Sequence, residues 1–319
     1  MAQNGKIRVA VDAMGGDYAP EEVVKGAVLA AEKDDVEIFL VGPATILEKE
    51  LAKYKLTNGS AIHIVGASES IKENESPVDV IRRKPNCSVA VAAKMVKSGE
   101  ADALFSAGSS GAAAISAIQF IGMLDGVHRP ALVGSLGSFA SNTVMVDLGA
   151  NVDCKPYQFL VFAIAGSVYA KKFLNITDPK IALLSTGSEE SKGSDAVREA
   201  HALLKNSGLN FVGNIEGSDI LNGKANVIVC DGFVGNVLLK FYESIGGYAR
   251  VWTERKLRKY PPLRALAGLL FRRLFPATRI SSETEKQGGG ILWGVDGVVK
   301  IAHGASRAPQ IANAIESAK

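Results

Sequence analysis

Four glycine-rich segments follow β-strand-like runs and are the parts of the sequence best suited to chemistry. Glycine lets a backbone approach a ligand closely, and the start of a following helix offers free N–H groups and positive potential to an anion. One such segment is usually only a tight turn, but several at one sheet edge favour a site for phosphate or a similar anion. The segments are residues 12–17, 106–111, 185–193 and 231–236.

The side chains near these segments form no familiar hydrolytic or zinc motif, since the sequence contains neither GxSxG nor HExxH. We interpret His63, in a strand-like run, and His201, in a helical pattern, as structural residues. His303 ends a strand and precedes the last helix, so it is a candidate to line the site. Lys192 lies in a polar glycine loop at a strand end, where phosphate binding is favoured over simple solvation.

The positioning elements are short apolar runs, rich in β-branched residues, that alternate with helical patterns. This alternation is typical of βα units, and strands without polar alternation indicate a sheet covered on both faces. We therefore predict an α/β fold, a three-layer, mostly parallel sheet with helices on both faces, in one domain over residues 1–319. The runs are IRVAV, EIFLV, AIHIV, ALF, ALV, TVMV, KIALL, NVIV and GVVKI.

Composition excludes several classes of protein. The chain has 319 residues, of which 47% are hydrophobic and 22% charged, as in soluble globular proteins. The net charge of +3 is too small to indicate nucleic-acid binding, and three separate cysteines without a CxxC pair indicate neither zinc nor disulfides. The apolar residues 159–170 are too few to span a bilayer and are predicted to form a buried core helix. We expect a soluble cytoplasmic protein, because the N-terminal residues lead directly into a strand.

Residues 250–279 differ from the rest of the chain in charge. They carry nine Lys or Arg residues against a single acid, Glu254, with leucines on one helical face. A projecting, amphipathic, basic helical hairpin is therefore predicted over residues 248–280. Three uses stay open, namely docking of an acidic protein, contact with an anionic membrane, or a dimer contact. The candidate contact residues are Arg264, Leu266, Leu270, Phe271, Arg272 and Arg273.

The glycine segments and further motifs are spread along the length of the chain. These motifs are Val11-Asp12-Ala13-Met14-Gly15-Gly16-Asp17 followed by Pro20, Ser106-Ala107-Gly108, Asp147-Leu148-Gly149-Ala150-Asn151, Gly166-Ser167-Val168-Tyr169, Asp231-Gly232-Phe233-Val234-Gly235-Asn236 and Ala302-His303-Gly304. In this combination the sequence resembles the bacterial phosphate acyltransferases of phospholipid synthesis. The motifs that begin at Val11 and at Asp231 are the most diagnostic.

The resemblance implies transfer of a long-chain fatty acyl group from acyl carrier protein to inorganic phosphate, giving acyl phosphate for glycerol 3-phosphate acylation. It also implies a fold similar to isocitrate dehydrogenase and phosphotransacetylase, a homodimer, and no metal or organic cofactor. Acyl carrier protein, an anionic membrane and the downstream glycerol 3-phosphate acyltransferase are the expected partners. Three positions depart from the family pattern: Tyr18 replaces a common histidine, Ser109-Ser110 replaces Asn-Thr, and Ser185-Thr186 replaces Asn-Val.

The expected mechanism is direct attack of phosphate on the thioester carbonyl, without an acyl-enzyme. Much of the phosphate is already a dianion near neutral pH, so it needs positioning more than a strong base. Lys192 would hold phosphate together with N–H groups of the Gly187 and Gly108 loops, and Asn236 would donate to the developing oxyanion. The two aspartates of the first loop are expected to fix the loops rather than act on substrate. The further candidate residues are Asp12, Gly15, Gly16, Asp17, Ser109, Ser110, Asp231, Gly235 and His303.

Three other functions stay open at this point. A phosphotransacetylase acting on short acyl-CoA would use the same fold and nucleophile. A dehydrogenase of the related fold is disfavoured, because the sequence has neither a metal-binding aspartate cluster nor a nicotinamide fingerprint. A non-catalytic membrane scaffold would account for the basic hairpin but would leave the glycine segments unexplained.

Overall fold

The computed structural model describes residues 6–33, 35–56, 61–69, 71, 75, 82–135, 140, 142–257, 259 and 289–319. The chain divides into two compact units, the first comprising Met1–Pro130 with Glu285–Lys319 and the second Ala131–Thr284. The single domain expected from the sequence stays a prediction. The residues of the predicted hairpin that were singled out for contact, from Arg264 to Arg273, lie outside the described residues.

The described elements alternate between strand and helix along most of the chain. The strands are β1 Ile7–Asp12, β2 Val36–Gly42, β3 Ile62–Gly66, β4 Ala103–Ser106, β5 Ala131–Ser135, β6 Val144–Val146, β7 Ile181–Leu184, β8 Phe211–Ile215, β9 Val227–Val229, β10 Gly290–Trp293 and β11 Val298–Ile301. The α-helices are α1 Glu21–Ala31, α2 Ala44–Leu51, α3 Ser88–Ser98, α4 Ser110–Ser116, α5 Pro156–Phe173, α6 Asp195–Lys205, α7 Gly232–Lys256 and α8 Ala308–Ala318.

In the first unit the strands lie in the order β3-β2-β1-β4-β11-β10. All neighbours are parallel except β10, which runs antiparallel to β11. Val9 and Phe105 belong to a buried cluster with α1 and α8, whereas α3 packs on β1 and β4. Because side chains alternate along a strand, Ala10 and Leu104 point to the other face, and both are fully buried. The unit therefore has helices on both faces of its sheet, as predicted.

In the second unit the strands lie in the order β5-β6-β9-β7-β8. The neighbours from β6 to β8 are parallel, and β5 is antiparallel to β6. The sheet is covered by α5, whose Phe159 and Phe162 are almost completely buried. The sequence prediction for residues 159–170 was wrong in one respect, since Ile164 and Val168 lie exposed on the outer face of this helix. Uniform hydrophobicity along a helix does not reveal which face is covered.

All nine apolar runs form strands, and Pro20 directly precedes α1, whose first two residues are acidic. Two strands, β8 and β10, were missed from the sequence. Within the described part of the chain, no helix has both the length and the apolar character that crossing a bilayer requires.

Candidate active site

The first unit brings together the loops after β1, β4 and β11, because these three strands are neighbours and parallel. The carboxylate of Asp12, which ends β1, is only 3% exposed. Ser88 Oγ donates to its Oδ1 at 2.5 Å, and Ser106 Oγ donates to its Oδ2 at 2.7 Å. Ser106 Oγ in turn accepts from the Gly108 N–H at 3.1 Å. Asp12 thus ties the first glycine loop to the second.

The buried environment of Asp12 suits a residue that holds the backbone of the loops after β1 and β4 in place. Burial raises the pKa of this carboxyl group, against the opposing effect of its hydrogen bonds from Ser88 and Ser106. A Cβ at Gly15 would collide with the Asp12 carboxylate and would lie 2.8 Å from the Gly108 nitrogen, so only glycine fits. This geometry agrees with the expectation that Asp12 organises the loops.

The loop after β11 joins the same cluster. The Asp17 N–H donates to the Gly304 carbonyl at 2.9 Å, and Gly16 adopts a φ of 120° beside that carbonyl. His303 is exposed, and its Nδ1 accepts from the Ala305 N–H at 3.1 Å. This hydrogen bond from the backbone orients the loop that contains His303.

The small polar residues after β4 act mainly on the start of α4. Ser109 caps that helix, with its Oγ accepting from the Ala112 N–H at 3.4 Å, and Ser110 is the first helical residue. A serine at this position satisfies one of the otherwise unpaired N–H groups of a helix start. The two serines, which stand where the resemblance leads us to expect Asn-Thr, thus form a capped helix start.

The second unit has its own buried carboxylate, Asp147, at the end of β6, with no solvent exposure. Its Oδ1 accepts from the N–H groups of Leu132 at 2.9 Å, Gly149 at 3.1 Å and Ala150 at 3.0 Å. Its Oδ2 accepts from the N–H and the Nδ2 of Asn151 at 2.7 and 2.8 Å. Burial raises the pKa of Asp147, although these hydrogen bonds favour the ionised form. Five donors around one carboxylate make residues 147–151 a tightly defined turn.

This turn lies against the start of α7, the helix that carries Asn236. A Cβ at Gly235 would collide with the Asp147 carbonyl oxygen, and one at Gly149 would lie 3.3 Å from Asn236 Cβ. Asp231 caps α7, because its Oδ1 accepts from the Val234 N–H at 2.8 Å. Asn236, one turn into the helix, is exposed to solvent. The two glycines thus allow the close packing that fixes where Asn236 projects.

Lys192 lies on the loop between β7 and α6, and β7 is the direct neighbour of β9. A Cβ at Gly187 would lie 2.9 Å from Lys192 Cγ, so this glycine makes room for the lysine side chain. Lys192 is exposed, and its ammonium makes no hydrogen bond or ion pair with any residue in the described ranges. The nearby Ser185 Oγ is buried and likewise lacks a partner within those ranges.

The structure therefore groups the predicted residues by unit. Lys192, Gly187, Asp231, Gly235 and Asn236 belong to the second unit, where β6, β9 and β7 end side by side. The other candidates, from Asp12 to Ser110 together with His303, belong to the first. Sequence reasoning missed Asp147 and Ser88 as organising residues. An aspartate directly after an apolar run and before a glycine was a usable signal for Asp147, whereas nothing local marked Ser88.

Solved structures with a similar arrangement of strands and helices show the class of fold. A phosphotransacetylase from Streptococcus pyogenes matches with a TM-score of 0.62 at 20% identity, covering 99% of this chain and 94% of that one. The EutD phosphotransacetylase from Staphylococcus aureus matches with a TM-score of 0.59 at 18% identity, covering 98% and 93%. The chain thus has the α/β fold of the phosphotransacetylases.

Relatives in sequence show the family to which the chain belongs. The family model described as "Fatty acid synthesis protein" matches residues 7–319. Proteins named phosphate acyltransferase from Pelotomaculum thermopropionicum and Nostoc punctiforme are 44% and 45% identical, covering 98% of this chain and 91% and 92% of their own lengths. The chain belongs to the bacterial phosphate acyltransferase family and is an acyltransferase.

Proposed function

We propose that the protein transfers a fatty acyl group from acyl carrier protein to inorganic phosphate at the edge of the second unit where β9 and β7 end. The observation that carries this proposal is that Asn236 and Lys192 follow these two adjacent, parallel strands. Ligands of open α/β sheets bind beyond the carboxyl ends of strands. The names of the sequence relatives support the same reaction.

Phosphate would bind on the loop between β7 and α6. The Lys192 ammonium supplies a positive charge with no competing partner among the described residues. The Ser185 hydroxyl, buried and unpartnered within the same ranges, is a further donor at the end of β7. The start of α6 adds the positive end of a helix dipole. Together these groups suit a doubly charged anion.

The chemical step needs little help from an enzyme base. An oxygen of the phosphate dianion forms a bond to the thioester carbonyl carbon, and the C–S bond then breaks. The proton carried by the phosphate leaves with the thiolate as a thiol, so acyl phosphate and free carrier result. Asn236 would donate to the carbonyl oxygen as negative charge develops there, a contact worth ~10²–10³ in rate in other enzymes.

Two of the three cysteines, Cys87 and Cys230, are poorly suited to form an acyl-enzyme. Burial raises the pKa of the Cys230 thiol well above its usual range, and its Sγ lies 3.6 Å from the Asp147 carbonyl oxygen. Burial also raises the pKa of Cys87. A thiol of raised pKa is a poor nucleophile at neutral pH, because the thiolate is the reactive form. Trapping of an acylated enzyme after rapid denaturation would contradict this mechanism.

The primary test is to incubate the protein with palmitoyl-acyl carrier protein and radiolabelled phosphate, with palmitoyl-CoA as a parallel donor. The expected result is labelled acyl phosphate together with phosphate-dependent release of free carrier. A folded protein that binds phosphate but yields no acyl phosphate from either donor would refute the proposed reaction. Faster reaction with palmitoyl-CoA than with palmitoyl-acyl carrier protein would show that the acyl donor is acyl-CoA.

The role of Lys192 has a separate test. Lys192→Ala should raise the KM for phosphate while leaving the KM for the acyl donor close to the wild-type value. The matched control is Lys172→Ala, which removes an exposed lysine at the end of α5 in the same unit. An unchanged phosphate KM in Lys192→Ala would show that another group binds phosphate.

We also propose that the protein forms a homodimer through α7. This helix carries large apolar side chains on one face, spaced by four or seven residues and 53–67% exposed: Phe233, Val237, Phe241, Tyr248 and Trp252. So extended an apolar stripe on a surface helix favours a partner. Light scattering should report a dimer, and Phe241→Ser should shift it toward monomer. A wild-type protein that is monomeric at micromolar concentration would rule the dimer out.

Peripheral membrane contact is the proposed use of the basic segment of residues 250–279. Its basic residues would be attracted to anionic lipid, with the apolar ones entering the interface. A triple variant with Leu266, Leu270 and Phe271 made polar should sediment less with anionic vesicles than the wild type. Equal sedimentation of the two proteins would exclude this contact.

A further inference from the structure

A buried polar pair lies behind the loop that carries Lys192. His201 is on the inner face of α6 and is 5% exposed, while Asn214 is on β8 and is 6% exposed. The imidazole also meets the Phe211 ring edge-on, with centroids 5.1 Å apart. Buried side chains of this kind require hydrogen-bond partners, so the partners show what such residues hold in place.

The hydrogen bonds of Asn214 fix the direction of this pair. Its Nδ2 donates to the carbonyl oxygen of Glu189 at 2.9 Å, and its Oδ1 lies 2.9 Å from His201 Nδ1. Because the amide nitrogen is used by a carbonyl, the amide oxygen must accept, and His201 Nδ1 must carry the proton. The pair is therefore a directed chain from the imidazole, through the amide, to the backbone of residue 189.

The carbonyl at the end of this chain also belongs to the Lys192 turn. The Glu189 carbonyl oxygen accepts a second hydrogen bond, from the Lys192 N–H at 3.0 Å. One oxygen thus connects the backbone of Lys192 to a side chain anchored in the core. The aliphatic part of the Lys192 side chain passes Gly187. A Cβ on that glycine would lie 2.9 Å from Lys192 Cγ. The backbone of the lysine is therefore held, and its stem has room beside Gly187.

We propose that His201 and Asn214 are positioning residues that set the location of Lys192 for phosphate binding. This inference rests on the proposed role of Lys192. A purely structural pair could have used any buried acceptor, but this one uses the carbonyl that also accepts from residue 192. Loss of the amide removes one hydrogen bond from that carbonyl, so the turn gains freedom and the ammonium spends less time at the phosphate.

The test is a double-mutant cycle read on the KM for phosphate. Asn214→Leu keeps the branched shape of the side chain and removes the donor, and it should raise this KM by about three- to tenfold, as expected for one hydrogen bond. The KM for the acyl donor should not change. In the double variant with Lys192→Ala, the phosphate KM should equal that of Lys192→Ala alone, within about twofold, because Asn214 acts only through the lysine.

Two further variants separate positioning from stability. His201→Asn places an amide donor near the position of Nδ1 and should retain most of the phosphate affinity, whereas His201→Leu should behave like Asn214→Leu. Should Asn214→Leu fail to fold, His201→Leu takes its place in the cycle. The control is Asn206→Ala at the end of α6, where the exposed side chain donates to the Ala202 carbonyl and the phosphate KM should stay unchanged.

The outcomes distinguish this inference from the proposed function. An unchanged phosphate KM in Lys192→Ala refutes the role of the lysine itself. A raised KM in Lys192→Ala with a normal KM in Asn214→Leu refutes positioning by the pair. Effects that multiply in the double variant also refute it, since Asn214 would then act independently of Lys192.

Discussion

Replacement of Asp147 by asparagine should destabilise the protein by an amount that follows from its contacts. The carboxylate accepts five hydrogen bonds, three at Oδ1 and two at Oδ2. An asparagine accepts at one oxygen only, so its NH₂ group would face at least the two donors of Asn151. Each buried donor left unpaired costs about 1–3 kcal/mol, which gives a loss of about 2–6 kcal/mol. Relief of a buried negative charge offsets part of this, so we expect a loss of about 2–4 kcal/mol.

The assay is urea unfolding followed by circular dichroism, with free energies of unfolding extrapolated to water. Asp153→Asn is the matched control, because it makes the same change of charge at an exposed position two residues beyond the turn. The control should lie within about 0.5 kcal/mol of the wild type. Turnover should fall in Asp147→Asn, because the turn packs against Asn236. A free energy of unfolding within about 0.5 kcal/mol of the wild type would refute the assignment of Asp147 as the organiser of this turn.

Three more predictions follow from single contacts. Gly235→Ala should destabilise by about 3 kcal/mol or more and lower turnover, because the new methyl group collides with a backbone carbonyl rather than a flexible side chain. Ser106→Ala should lower the free energy of unfolding by about 1–3 kcal/mol, since it removes a donor to the buried Asp12 carboxylate. Burial lowers the pKa of Lys300 to about 8, below its ordinary value of 10.5. Between these two pH values the unfolded chain therefore binds more protons than the folded chain. Wild-type stability should therefore rise relative to Lys300→Met between about pH 8 and about pH 10, by up to about 3 kcal/mol.

Each of these three measurements has a control or a contradicting result. Gly217→Ala introduces the same methyl group where nothing lies within 4 Å, and it should be nearly neutral. Ser98→Ala removes an exposed hydroxyl in the same unit as Ser106 and should change stability little. For Lys300, a stability difference from Lys300→Met that stays constant with pH would contradict the lowered pKa.

The strands that were predicted correctly and those that were missed differ for a physical reason. Parallel strands covered on both faces need apolar side chains throughout, so β1, β2 and β7 appear in the sequence as plain hydrophobic runs. In β8, Gly213 adopts a φ of 95° and Asn214 is a buried polar residue, and both interrupt the run. Asn214 donates a hydrogen bond to the Glu189 carbonyl, 25 residues away in the sequence, and no local sequence pattern can reveal this contact.

The same limit applies to the site. The loops that carry Lys192 and Asn236 were predicted, because glycine and polar residues directly after an apolar run are visible in the sequence. The contacts that hold those loops were not predicted. Asp12 and Ser88, for example, are separated by 76 residues and meet only in the folded chain. Local sequence therefore indicates where ligands can bind, whereas the fold determines which buried residues hold the loops in place.

The contacts of the two buried aspartates agree with a reaction in which phosphate is the nucleophile and no enzyme carboxylate acts as the base. Asp147 accepts five hydrogen bonds from its own unit, so no lone pair is left to take a proton from a ligand. Asp12, in the other unit, is buried, and each of its oxygens accepts a hydrogen bond from a serine. Asp147 is therefore not available as a base. Much phosphate already carries the nucleophilic charge near neutral pH, so Asp147 can be used entirely to hold the turn that packs against Asn236.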